Sequence, residues 1–181
     1  KAAGWGSSVR KDSQDLVLAA KKKGYSLVTN EKEVLSLDAG KAEKVLGLFA
    51  TADFPSAIDR QPQHQTGVPP LPRLTAKGLE ILSKNPRGFF LMVEGGQVDY
   101  VEHGNDIGSV LREMLELDEA LGVAMAFVEA NPDTLLIVTA DHDTWGMAIA
   151  YCSYHPPQPV KLPSGETWQT KYNFGERTIF E

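Results

Sequence analysis

The chain has 181 residues, 23% of them charged and 42% hydrophobic, with a formal net charge of -6. That length supports one domain with its own core, and that balance excludes an intrinsically disordered chain. The acidic excess, without a basic run or an aromatic-basic ribbon, argues against a nucleic-acid surface, and no apolar stretch approaches the roughly 18 residues a membrane span needs.

The first ten residues read as a loop. Leu16 to Lys23 has helical spacing, with Leu16, Val17, Ala19 and Ala20 on its buried face, Asp12 or Ser13 as its cap and Gly24 as its stop. A strand from Tyr25 to Val28, a short helix from Glu31 to Leu37 and a strand from Lys44 to Phe49 follow. Residues 50–73 carry Pro55, Pro62, Pro69, Pro70 and Pro72 and read as a surface excursion, in which His64 is a solvated loop residue. Thr75 is the expected cap of a helix from Ala76 to Ser83, buried through Leu79, Ile81 and Leu82.

Phe89 to Val93 is an unbroken apolar run suited to the middle of a parallel sheet. Glu94 ends it, and Gly95-Gly96 are expected to turn the backbone sharply. Ile107 to Glu129 is the longest predicted helix. Val110, Leu111, Met114, Leu117, Leu121, Met125 and Val128 form its core stripe, and Glu113, Glu116, Asp118 and Glu119 its solvated face. A second buried strand runs from Thr134 to Thr139. Gly146 to Ala150 reads as one more strand, and Trp168 to Phe174 as an edge strand or exposed flap. Cys152, the single cysteine, excludes an internal disulfide and a multi-cysteine zinc ribbon. Alternation of strand and helix predicts an α/β fold with a largely parallel sheet, in one domain spanning 1–181. Both ends look cut, so a fragment is expected, and an uncovered sheet edge would drive its self-association.

The chemistry-bearing residues stand at the C-terminal ends of the two central strands, where open α/β sheets place their sites. Asp99 and His103 are four apart and share one face of a helical turn; Asp141 and His142 directly follow the second strand. A carboxylate with an imidazole suits zinc, while Glu94, without an imidazole beside it, suits a harder cation such as magnesium. Either pair alone could be structural. Together at one sheet edge they point to a metal site able to clamp the entering and leaving oxygens of a phosphoryl transfer.

V-E-G-G-Q-V-D-Y-V-E-H, followed by L-L-I-V-T-A-D-H-D-T, resembles the alkaline phosphatase family, and D-L-V-L-A-A-K-K-K-G-Y, K-V-L-G-L-F-A and L-T-A-K-G-L-E-I-L-S-K-N-P-R-G-F-F match it as well. The resemblance implies a three-layer sandwich with a largely parallel central sheet, incomplete in this chain. It implies Asp99 and His103 as ligands of a first zinc, Asp141 and His142 of a second, Glu94 of a magnesium, and Tyr100 beside bound phosphate. It further implies hydrolysis of phosphomonoesters to inorganic phosphate through a phosphoserine, a homodimer, and a periplasmic or extracellular location. The chain departs from the family pattern in having no Asp-Ser-Ala nucleophile motif, since Asp12-Ser13-Gln14 stands in other surroundings. It also lacks a match for the phosphate-gripping arginine, the early shared Asp and the later His-Thr-Gly histidine, which neither His64 nor His155 replaces. Trp145 stands where many relatives have Gly. This chain is therefore expected to supply metal ligands but not the nucleophile, and to be inactive alone. Phosphodiesterases, sulfatases and cofactor-independent phosphoglycerate mutases share the scaffold and are the sister reading, and a non-catalytic metal-binding fragment is the other; E-G-G-Q-V-D and T-A-D-H favour the phosphatase.

Overall fold

The computed structural model describes residues 10–12, 14–60 and 67–144, and the backbone of 160–161 and 167–168. The chain divides into two compact units, Lys1–Thr144 and Trp145–Glu181. In the second, β3 (Val160–Lys161) pairs antiparallel with β4 (Thr167–Trp168). The expected strand at 146–150, most of the 168–174 flap, and Ser13, His64, Trp145, Cys152 and His155 lie outside the described residues.

The first unit begins with α1 (Leu16–Lys22). Its cap is Asp15, whose carboxylate accepts from the Leu18 amide at 2.8 Å, and not Asp12, which instead pairs with Arg10. No residue of α1 is buried, and of the expected apolar face Leu16 and Ala19 are exposed while Val17 and Ala20 are half-buried. Gly24 (φ 84°) closes the helix, and the Tyr25 amide turns back to the Ala20 carbonyl. The chain then runs through β1 (Ser26–Val28), α2 (Glu31–Ser36) and β2 (Val45–Gly47), and β1 pairs parallel with β2. Parallel strands cannot be joined by a tight turn, so α2 serves as the crossover. Asn30 caps α2 through the Glu33 amide, and Glu33 reaches back to the Thr29 amide, a reciprocal box that holds the Glu33 carboxyl below its ordinary range.

α3 (Leu71–Leu82) starts before the predicted Thr75. Pro72 tolerates the first turn because that turn needs no amide donor there, and the half-buried Leu71 amide, which has no partner within the helix, donates to Glu116 Oε1 at 2.7 Å. Thr75 is thus a buried mid-helix residue whose hydroxyl donates to the Leu71 carbonyl at 2.9 Å. The preceding segment is not a plain surface excursion either. Pro69 is fully buried, Val68 is buried, and Arg60 is clipped to α5 (Ile107–Ala130) by Glu116 at 2.8 Å and Glu113 at 3.5 Å. Glu113 and Glu116 therefore belong to a covered ion cluster and not to a solvated face, whereas Asp118 and Glu119 are exposed as expected.

α5 packs against α3 and against α4 (Gln97–His103), burying Val110 and Ala120. Met114 and Met125, predicted as core, are exposed, because these neighbours cover only part of the helix circumference. The two expected central strands also need correction. Residues 89–93 carry no regular secondary structure, with Phe89 edge-on to Phe127 at 5.9 Å and Leu91 close enough that a Cβ on Gly78 would lie 3.5 Å from its Cδ1. Phe90 and Met92 point the other way and are 87% and 73% exposed. Residues 134–139 are barer still, with Leu135 at 81% and Ile137 at 74%. Neither segment has a ladder among the described residues. Apolar content makes a segment fit for a strand, but a strand also requires a neighbour to hydrogen-bond with.

Candidate metal-binding site

The first acid–imidazole pair is built by α4. Gly96 sits in ordinary right-handed helical geometry (φ -59°), and Gly95 lies in close approach to α5: a Cβ there would come within 3.1 Å of Leu117 Cδ2, which would have to give by a few tenths of an ångström. This contact seats the start of α4 on the long helix. Asp99 and His103 then project from one face, with His103 Nε2 3.6 Å from Asp99 Oδ1. Asn105 (φ 52°) turns the chain, and Asp106 caps α5 through the Ser109 amide at 3.2 Å and hydroxyl at 2.6 Å. Those two bonds hold the Asp106 carboxyl below the usual range.

The second pair follows the apolar segment 134–140. Asp141 Oδ1 accepts from the His142 amide at 3.0 Å, which turns its other oxygen to within 3.2 Å of His142 Nε2. Thr144 joins the two pairs. Its hydroxyl donates to Asp99 Oδ1 and lies 3.2 Å from His142 Nδ1. Tyr100, next to Asp99, is half exposed; the negative charge of Asp53 and a hydrogen bond to it push the phenol above its usual range, and Asp99 and Glu94 add to the push. Glu94 is exposed and close enough that a Cβ on Gly96 would lie 3.3 Å from its Oε1.

Of the predicted site residues, the structure brings Asp99 to His103, Asp141 to His142, and the two pairs to one another through Thr144. It does not assemble them with Glu94 into one cage: among the described residues no group of three or more His, Cys, Asp or Glu is placed to hold a metal ion. The donor set nonetheless has the right shape within each pair. Zinc ligands at about 2.0–2.1 Å in a tetrahedron lie roughly 3.3 Å from each other, close to both observed separations. Each pair can thus form one edge of such a polyhedron. Sequence reasoning passed over Thr144 and Asp53; a hydroxyl two residues beyond His142 was the available signal for the first, and nothing in the sequence marked the second.

These features define an α/β protein with paired acid and imidazole donors suited to a divalent cation. The chain belongs to the alkaline phosphatase family, which it matches over residues 3–172. It is 40% identical over 140 residues to alkaline phosphatase 3 of Bacillus subtilis (strain 168), covering 77% of this chain and 29% of that protein. The crystal structure of Thermus thermophilus alkaline phosphatase superposes with a TM-score of 0.64 at 40% identity, covering 68% of this chain and 25% of that one. A TAB5 alkaline phosphatase mutant with magnesium bound superposes with a TM-score of 0.63 at 27% identity, covering 89% of this chain and 43% of that one. The chain therefore spans about a quarter to less than half the length of these relatives, and its α/β fold is a part of theirs. No helix among the described residues is long and apolar enough to cross a membrane.

Proposed function

We propose that this chain is the metal-ligand segment of a zinc- and magnesium-dependent phosphomonoesterase. In this reading Asp99 and His103 hold one zinc, Asp141 and His142 hold a second, and Glu94 serves a magnesium. The observation that carries it is the pair of nitrogen–oxygen separations, 3.6 and 3.2 Å, both near the edge of a zinc tetrahedron and tied through one hydroxyl. Family membership supports the phosphoryl chemistry, and the magnesium-bound relative supports the harder cation.

Bound zinc would supply Lewis acidity to phosphoryl, entering and leaving oxygens. The chain's own residues orient and hold. Asp99 and His103 are kept in register by α4, itself seated on α5 through Gly95 and Leu117. Asp141 is aimed by its bond to the His142 amide. Tyr100, protonated well beyond neutrality beside Asp53, offers a phenol rather than a phenolate to a phosphate ester at the rim. No residue of this chain is assigned as the nucleophile; the phosphoserine of the proposed reaction forms elsewhere in the full-length enzyme. A homodimer working on phosphomonoesters outside the cytoplasm completes the reading.

The test is zinc stoichiometry by elemental analysis after dialysis against buffered zinc. Wild-type chain is expected to bind zinc at each pair, weakly because each pair supplies two donors, with Asp141→Ala/His142→Ala and Asp99→Ala/His103→Ala each losing one of the two sites. Retention that neither double substitution alters would refute the assignment.

A further inference from the structure

Thr144 lies within hydrogen-bond distance of both donor pairs, and the hydroxyl limits which atoms can donate there. A hydroxyl carries one proton. The Asp99 carboxylate can only accept, so that proton goes to Asp99 Oδ1. The hydroxyl oxygen then presents only lone pairs to His142 Nδ1, 3.2 Å away, and the contact is a hydrogen bond only if Nδ1 carries the hydrogen. For a neutral His142 that bond selects the Nδ1–H tautomer, which leaves the Nε2 lone pair facing Asp141 Oδ2 at 3.2 Å. Two lone-pair donors that close, with no hydrogen between them, repel unless a cation lies against both. A ligating histidine depends on such a partner on its other nitrogen to set tautomer and ring orientation.

We propose that Thr144 is a positioning residue that orients Asp99 and His142 together and thereby couples the two metal pairs. This rests on the metal-ligand reading above. Thr144 touches no metal itself; it acts through the carboxylate it donates to and the imidazole it accepts from. One hydroxyl serving both pairs also means that loosening it disturbs both at once, which a residue tuning a single site would not do.

The experiment compares Thr144→Val, which keeps the shape and removes the hydroxyl, with Thr144→Ser, which keeps the hydroxyl. Zinc affinity is measured by chelator competition, and the His142 tautomer by nitrogen-15 NMR of the imidazole. Thr144→Val is expected to weaken zinc binding at both pairs about 10- to 100-fold, to release His142 into a mixture of tautomers, and to leave the urea midpoint unchanged. Thr144→Ser should restore affinity and the Nδ1–H signature. Thr144→Val with wild-type affinity and tautomer, while Asp141→Ala/His142→Ala still loses one zinc, overturns the role of Thr144 and leaves the metal reading standing. A wild-type chain that binds no zinc overturns both.

Discussion

Arg60→Ala is the most informative single perturbation of the fold. Arg60 donates from Nε to the Pro55 carbonyl at 2.7 Å, to Glu116 at 2.8 Å and, more weakly, to Glu113 at 3.5 Å. Its side chain and that of Glu113 are nearly fully covered, so water cannot take over when the guanidinium is removed. Two charge-assisted bonds at about 1.5–3 kcal/mol each, and the known cost of orphaning a buried carboxylate, agree on a loss of about 3–5 kcal/mol. With a urea slope near 2 kcal/mol/M, the unfolding midpoint should fall by about 2 M. Burial already pushes the Glu113 carboxyl up, and the Ala57 amide and Arg60 push back. Without Arg60 it rises further, so the penalty is full where Glu113 is ionised. That penalty shrinks as pH falls through the raised folded value, because the protonated carboxyl needs no cation. Glu113→Gln in the Arg60→Ala background should recover part of the loss at neutral pH, since the amide oxygen still accepts from Ala57. An unfolding free energy for Arg60→Ala within about 0.5 kcal/mol of wild type, the range of an ordinary surface change, would refute the buried-cluster argument.

Asp106→Ala removes the cap of the longest helix and should cost about 1 kcal/mol at neutral pH by urea titration. Because the folded Asp106 carboxyl is depressed by Ser109, its contribution is present above the ordinary carboxylate range and lost as pH falls through the depressed value; wild type and variant should converge in acid. Phe90→Ser combined with Ile137→Thr should lower self-association in sedimentation velocity and reduce ANS binding with little loss of stability, since both side chains are bare. Unchanged association would mean that the two exposed apolar segments do not drive it.

The elements governed by short-range chemistry could be read directly. α1, α2 and α5 appear close to their predicted spans, and β1 and β2 lie within their predicted strands, because apolar spacing, stop glycines and strand runs act over a few residues. The two acid–imidazole pairs were legible for the same reason: four-residue helical spacing and direct adjacency place donors without reference to the rest of the chain. Only the tertiary structure decided the others. Whether Phe89–Val93 and Thr134–Thr139 become strands depends on a partner edge, which a one-dimensional apolar run does not specify. The start of α3 was misplaced because the acceptor for the Leu71 amide, Glu116, comes from another helix. Glu113 looked solvated because nothing local in the sequence announces that Arg60 will fold over it. Thr144 meets Asp99 only once distant segments converge, so the join between the two donor pairs is a property of packing, whereas the pairs themselves belong to the sequence.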